Sequence, residues 1–99
     1  MNIILVCSGG VSASIFMKKL KLLAKQKQID FQLSSCSIHE LRQCADILLL
    51  SPQCAYAKKM VMPYVSDEDH ILMIDSFEYS TLDAQHTLQQ IQKIVNKGA

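Results

Sequence analysis

The sequence predicts an α/β domain built on a four-stranded parallel sheet with helices on both faces. Three short segments, residues 3–6, 47–50 and 71–74, are apolar at every position, which is typical of strands buried on both sides. Longer segments with helical spacing of apolar residues alternate with them. The length of 99 residues accommodates one hydrophobic core, so we expect residues 1–99 to form a single domain. We expect right-handed crossovers and the strand order 2-1-3-4.

The first half of the chain predicts two strands and one long helix. After the strand at 3–6, residues 12–28 place Phe16, Leu20, Leu23 and Ala24 at helical spacing, which predicts the first helix. Residues 31–35 can form a strand but are more polar, so we expect them at an edge of the sheet. A short turn at 38–43 then returns the chain to the third strand.

The second half predicts two further helices. Residues 55–64 have an apolar stripe at helical spacing, and Pro63 is expected to end or distort this helix. The fourth strand is expected at 71–74. A last amphipathic helix is predicted over 83–97, with Gly98 as its stop. Strand and helix thus alternate four times.

Composition excludes several classes of protein. Ten basic and nine acidic residues leave a net charge of +1, which argues against a dedicated nucleic-acid binder. No apolar segment approaches the roughly 18 residues of a membrane span, so no membrane insertion is expected. The four cysteines are too widely spaced for Cys-x-x-Cys pairs, which favours free thiols in the cytoplasm. The cysteines are Cys7, Cys36, Cys44 and Cys54.

The segment that joins the first strand to the first helix predicts a phosphate-binding loop. Small residues allow successive backbone N–H groups to converge on one point, and the following helix directs its positive dipole end there. That field favours the thiolate form of Cys7, which makes it the candidate nucleophile. We call residues 7–14 the phosphate loop. Its expected phosphate-binding residues are Ser8, Gly9, Gly10, Val11, Ser12, Ala13 and Ser14.

Three interpretations of this loop compete. Cys7 could be a buried structural thiol in a tight turn. The spacing from Cys7 to Ser14 also matches the Cys-x5-Arg-Ser/Thr loop of cysteine-dependent tyrosine phosphatases, but Ala13 stands where the arginine would clamp the phosphoryl group. A loop with neutral donors suits a carrier that passes the phosphoryl group on rather than losing it to water.

Polar residues after the third and fourth strands should approach the same end of the sheet. Pro52, Gln53 and Tyr56 could form the rim of the site, or Pro52 could begin the next helix with Gln53 as its cap. Asp75 and Tyr79 are further rim candidates. The charge of Asp75 would repel a bound phosphate dianion, so capping a helix or turn is the expected role of this residue.

Other conspicuous residues fit ordinary structural roles. Cys36, His39 and Cys44 resemble part of a metal site, but a fourth ligand at suitable spacing is missing, so no metal ion or other cofactor is expected. Five of the nine lysines fall in the first helix, which is typical of a solvated face but could also steer an acidic partner.

Three segments together resemble the enzyme IIB components of the bacterial phosphoenolpyruvate-dependent sugar phosphotransferase system, in the lactose/cellobiose/chitobiose class. They are the apolar strand ending in Cys7 with its loop, the segment 49–53 followed by Tyr56, and the segment 74–76 with Tyr79. The resemblance extends over nearly the whole chain. The family pattern has glycine before the Pro-Gln pair, where this chain has Ser51.

The resemblance implies a carrier that takes a phosphoryl group from a phosphohistidine of enzyme IIA. Cys7 would carry it as phosphocysteine and donate it to a sugar, such as cellobiose, chitobiose or lactose, at the membrane enzyme IIC. The protein would dock at the inner face of the cell membrane. A non-catalytic module that responds to phosphate and a degenerate cysteine phosphatase are the alternatives.

Overall fold

The computed structural model describes residues 1–8 and 11–98, with side chains up to Asn96. Its sheet has four parallel strands in the order β2-β1-β3-β4, so the predicted fold class and strand order are confirmed. The strands are β1 (Asn2–Val6), β2 (Gln32–Cys36), β3 (Ile47–Leu50) and β4 (Ile71–Met73).

Helical segments cover both faces of the sheet. The α-helices are α1 (Val11–Gln26), α2 (Lys58–Val61), α3 (Ser76–Ser80) and α4 (Gln85–Gly98). The described chain also contains three 3₁₀ segments, which are Pro52–Ala57, Met62–Tyr64 and Glu68–His70.

The apolar side chains divide into two layers, one on each side of the sheet. Along β1, Ile3 and Leu5 belong to the first layer, whereas Ile4 and Val6 belong to the second. This alternation follows from the two-residue period of a strand, and burial on both sides explains why β1 is apolar throughout. Buried residues of α1, α3 and α4 complete the first layer. The second layer includes Leu41 and residues from the 3₁₀ segment after β3 and from α2.

Helix α1 is two residues shorter at its carboxyl end than predicted. The N–H of Ile29 donates to the carbonyl of Ala24 at 2.8 Å, and the N–H of Gln28 donates to the carbonyl of Lys25 at 3.1 Å. This is the hydrogen-bond pattern of a Schellman motif, in which the residue after the helix takes a left-handed conformation. Gln28 has φ of 59° and fills that position instead of the usual glycine.

The predicted fourfold alternation of strand and helix is wrong between β2 and β3. In the described chain, residues 37–46 form turns, a bend and a bridge but no helix. Leu41 and Ala45 from this segment are buried in the second layer, where a helix would otherwise lie. The segment therefore covers the sheet as a packed loop.

The predicted second helix over 55–64 is replaced by three short pieces. A 3₁₀ segment starts earlier, at Pro52, because the fixed φ of proline suits the first helical position. The regular part, α2, has four residues, and Pro63 lies in a second 3₁₀ segment, which confirms the expected distortion. Helix α3 was not predicted, whereas α4 lies close to the predicted 83–97.

Strand β2 occupies an edge of the sheet, as predicted. Its burial pattern is uneven, with Leu33 buried and Ser34 and Ser35 exposed. The opposite edge strand, β4, has three residues. The central strands β1 and β3 are thus the buried part of the sheet.

We expect Leu20→Ala in α1 to lower the free energy of unfolding by about 2–5 kcal/mol, because Leu20 is fully buried in the first layer. Leu22→Ala on the same helix is the matched control, since Leu22 is 60% exposed. Its effect should stay within about 0.5 kcal/mol. Urea unfolding followed by circular dichroism measures both. Equal losses in the two variants would contradict this description of the core.

Candidate functional site

Three strand ends lie level at one edge of the sheet. The N–H of Cys7 donates to the carbonyl of Cys36 at 3.1 Å, and the N–H of Ser51 donates to the carbonyl of Val6 at 3.0 Å. Cys7 therefore follows β1 directly between the ends of β2 and β3. This is the carboxyl edge of the sheet, where ligands of open parallel sheets bind.

Cys7 is the candidate nucleophile, and its side chain is 5% exposed. It belongs to the first apolar layer, together with Ala13, Phe16 and Tyr79. Ser8, the next residue, is exposed. The thiol thus lies at the top of the core, directly below the point where the chain reaches solvent.

The described part of the phosphate loop leads into the first turn of α1. Gly9 and Gly10 lie outside the described residues. Val11, Ser12 and Ser14 are exposed. In a helix that begins at Val11, the N–H groups of the first turn have no acceptor within the helix, so they are available to an anion.

Ala13 faces the core instead of the loop. It is 4% exposed and packs in the first layer. At this position a cysteine phosphatase has its phosphate-clamping arginine. The single arginine of the sequence, Arg42, lies after β2 and donates to the carbonyl of Leu41 at 3.0 Å. In its described part, the phosphate loop therefore has neutral hydrogen-bond donors with which to bind a phosphoryl group.

Tyr79, a predicted rim residue, is buried beneath the site. Its ring packs 5.4 Å from that of Phe16, between ring centres. Burial raises the pKa of Tyr79 above its ordinary value of 10.0, and the nearby Cys7 and Cys54 thiols raise it further when they are charged. The phenol therefore stays neutral at physiological pH and lies close to Cys7.

Cys36 is the last residue of β2 and lies on the opposite side of Cys7 from β3. Partial burial raises the pKa of its thiol, and the Glu40 carboxylate and Cys7 add to the effect. The N–H of Ser37 donates to Glu40 Oε1 at 2.9 Å, and this hydrogen bond lowers the pKa of Glu40. Cys36 is thus a neutral neighbour of Cys7.

Ser51 is a site residue that sequence reasoning did not assign. It is fully buried, and its Oγ has no hydrogen-bond partner within the described residues. The one signal in the sequence was its position, where the family pattern has glycine. An unpaired buried hydroxyl costs about 1–3 kcal/mol, so this arrangement requires an explanation.

The remaining rim residues divide between structural and exposed positions. Pro52 begins the 3₁₀ segment, and Ser51, not Gln53, is its N-cap residue, so the predicted capping by Gln53 is wrong. Gln53 is exposed and Tyr56 is 73% exposed. Asp75 is confirmed as a helix cap. Its Oδ2 accepts from the N–H groups of Phe77 and Glu78 at 3.0 and 3.2 Å.

Two of the histidines have polar partners of their own. His86 Nδ1 lies 2.8 Å from Glu78 Oε1, and His70 Nδ1 lies 3.1 Å from the carbonyl of Asp46. Among the described residues, no three His, Cys, Asp or Glu side chains are placed to bind a metal ion. The lysines of α1 begin at Lys18, about 10 Å along the helix from Val11. They lie toward the end of α1 that is remote from Cys7.

None of the described helices has the length and apolar character needed to cross a membrane.

Comparison with known proteins identifies the class to which this fold and site belong. The family model of the lactose/cellobiose-specific IIB subunit of the PTS system matches residues 2–90. A solution structure of the cellobiose-specific phosphotransferase IIB component protein from Borrelia burgdorferi is 27% identical, with a TM-score of 0.68. The match covers 98% of this chain and 93% of that one.

A low molecular weight protein tyrosine phosphatase from Bacillus subtilis shares the fold alone. It has a TM-score of 0.59 at 15% identity, and the match covers 98% of each chain. The shared fold places a strand–loop–helix unit in both proteins.

The fold and family together define a phosphotransferase component. The chain belongs to the lactose/cellobiose-specific IIB family of the sugar phosphotransferase system. It therefore has a role in sugar transport by phosphotransfer, and members of this family work with IIA and IIC components.

The raised pKa of Tyr79 predicts an alkaline contribution to stability. A phenol that keeps its proton longer in the folded state stabilises the fold below pH 10.0, and this contribution is lost as pH rises through the raised pKa. Tyr79→Phe should therefore reduce the loss of stability above pH 10.0 and remove the phenolate that forms at the highest pH in the ultraviolet titration. Loss of a phenolate that instead forms in the ordinary pH range of tyrosine would contradict the assignment.

The cap at Asp75 predicts a local stability effect. Asp75→Ala should lower the free energy of unfolding by about 1 kcal/mol. Asp75→Asn should lower it much less, because an amide oxygen can also accept hydrogen bonds from the two N–H groups. Asp69→Ala is a suitable control, since the described hydrogen bonds include none to its carboxylate. Urea unfolding compares the three variants. A loss in Asp75→Asn as large as in Asp75→Ala would exclude capping.

Proposed function

We propose that residues 1–99 form a single IIB domain whose Cys7 carries a phosphoryl group between two proteins. The donor is a phosphohistidine of enzyme IIA, and the acceptor is a sugar bound to the membrane component IIC. The observation that supports this most is the position of Cys7 at the carboxyl end of β1, directly before the loop and the first turn of α1. We propose a cytoplasmic protein that docks at the inner face of the membrane.

In the first transfer, the Cys7 thiolate attacks phosphorus in line with the histidine nitrogen. The S–P bond forms as the P–N bond breaks, and the leaving imidazole takes up the proton that the thiol gave up. The N–H groups of the first turn of α1 stabilise the charge on the phosphoryl oxygens. No metal ion or other cofactor is required for this step.

In the second transfer, a sugar hydroxyl attacks the phosphocysteine. The P–O bond forms as the S–P bond breaks, and the electron pair returns to Sγ of Cys7. The hydroxyl proton leaves to the thiolate or to solvent. We propose a β-linked disaccharide such as cellobiose, chitobiose or lactose as the sugar.

Neutral surroundings favour transfer over hydrolysis. Ala13 replaces the arginine with which a cysteine phosphatase stabilises attack on its phosphocysteine. Tyr79 and Cys36 keep their protons at physiological pH and add no charge beside the phosphoryl group. The phosphoryl group therefore persists on Cys7 until a partner docks.

Exposed apolar side chains surround the carboxyl edge of the sheet. Val11, Tyr56 and Phe77 follow β1, β3 and β4, and their exposed fractions are 74%, 73% and 72%. Such residues are suited to contact with partner proteins. We propose that IIA and IIC bind here in turn, with Gln53 at the rim.

The test is intact-mass analysis after incubation with phosphoenolpyruvate, the general phosphotransferase proteins and a cognate IIA. The wild type should gain one phosphoryl mass, and Cys7→Ser should gain none. Cys44→Ser is the matched control, because Cys44 is exposed and lies away from the strand ends, and it should be phosphorylated like the wild type.

Discharge of the wild type by a disaccharide with IIC would complete the relay and identify the sugar. Phosphorylation of Cys7→Ser, or no added mass with an active donor, would overturn the proposal. Release of inorganic phosphate without IIC, at a rate comparable with transfer, would favour a phosphatase.

A further inference from the structure

The unpaired hydroxyl of Ser51 is the polar group that the proposed reaction does not yet use. Ser51 is fully buried, and its Oγ has no partner among the described residues. Buried hydroxyls are hydrogen-bonded in the large majority of cases. Thr87, the other buried serine or threonine in the described chain, lies on α4 and not at a strand end.

The strand register places Ser51 beside Cys7. Leu50 pairs with Val6, and the N–H of Ser51 donates to the carbonyl of Val6 at 3.0 Å. The ladder thus continues one residue beyond both strands, so Ser51 is the neighbour of Cys7. Adjacent strands lie about 4.8 Å apart, which is close enough for two short side chains on the same face to meet.

The two side chains also lie on the same side of the sheet. Leu49 belongs to the first layer and Leu50 to the second. Ser51 has extended backbone angles, φ of −66° and ψ of 161°, so the alternation continues and returns its side chain to the first side. Cys7 belongs to that layer.

We propose that the Ser51 hydroxyl donates a hydrogen bond to Cys7 Sγ whenever that sulfur becomes negatively charged. This inference rests on the proposed carrier function. We assign the hydroxyl to the sulfur and not to the phosphoryl group, because Ser51 is fully buried, whereas the phosphoryl group has to reach donor and acceptor from the solvent side.

The proposed bond explains the resting structure. A neutral thiol is a weak acceptor, so the hydroxyl gains little from it before the reaction. A thiolate is charged and accepts a stronger bond. When the S–P bond breaks and its electron pair returns to Sγ, the hydroxyl stabilises the leaving thiolate. An interaction that strengthens as charge develops accelerates the transfer.

The first experiment measures the reactivity of Cys7 without any partner. Iodoacetamide forms an S–C bond with the thiolate and releases iodide, and peptide mass mapping separates the cysteines. Near neutral pH, Ser51→Ala should slow alkylation of Cys7 about tenfold relative to Cys44, which is exposed and serves as an internal reference. Thr87→Val removes a buried hydroxyl on α4, away from Cys7 in the sequence and the sheet, and should leave this ratio unchanged.

The melting temperature separates this role from a structural one. Ser51→Ala removes an unpaired buried hydroxyl, so its Tm should equal or exceed that of the wild type. Slower alkylation in a variant of undiminished stability supports the proposal. Unchanged or faster alkylation of Cys7 in Ser51→Ala would overturn the proposal. Slower alkylation accompanied by a lowered Tm would overturn it as well, because the effect would then be structural.

Phosphoryl transfer distinguishes this inference from the proposed function. Rapid-quench discharge of the phosphorylated protein to a sugar with IIC should slow about tenfold in Ser51→Ala and not in Thr87→Val. If neither the wild type nor the variants accept a phosphoryl group, the carrier function fails. The alkylation ratio then still decides whether Ser51 stabilises the thiolate, and a normal transfer rate in Ser51→Ala overturns its role in the reaction.

Discussion

The parallel register of β1 with its two neighbours is the constraint on which the site depends. Every residue from Ile3 to Val6 is buried, so β1 packs against apolar side chains on both sides. A shift by one residue would exchange its two faces and move Cys7 to the second layer. The native register instead brings Cys7 level with Cys36 and Ser51 at one edge. Core packing thereby fixes the position of the candidate nucleophile.

The buried side chains beside Cys7 are uncharged. In the described part of the chain, the buried serine and threonine hydroxyls are those of Ser51 and Thr87. The pKa values of Tyr79 and Cys36 are raised, so both remain protonated at neutral pH. The carboxylates of Asp75 and Glu40 accept backbone N–H bonds after β4 and β2. The phosphoryl group would therefore meet neutral groups on the core side of the site.

The fold could be predicted because three of the four strands lie in segments that are apolar at every position, and β1 and β3 are buried on both faces. Segments without a regular spacing of apolar residues were harder to predict. Residues 37–46 are held by the burial of Leu41 and Ala45, a tertiary effect that leaves no helical pattern. Helix α3 has five residues, too few to show a period, and is marked in the sequence mainly by its cap at Asp75. Residues 52–64 break into short pieces around two prolines.

The place of Cys7 at the carboxyl end of β1 could be predicted, because it directly follows an apolar strand. Ser51 was not predictable as a site residue, because a serine before proline is also an ordinary turn residue. Its burial and its unpaired hydroxyl depend on three-dimensional packing. Tyr79 was expected at the rim, but its contact with Phe16 places it in the core below.

The two edges of the sheet have a further consequence for a protein that meets several partners in turn. An open edge offers unpaired backbone groups to which a foreign strand can add. Here one edge, β2, exposes Ser34 and Ser35, and the other, β4, is three residues long. Neither offers a long apolar template, so encounters with other chains are directed away from strand addition. Backbone pairing with another chain is thereby disfavoured at both edges.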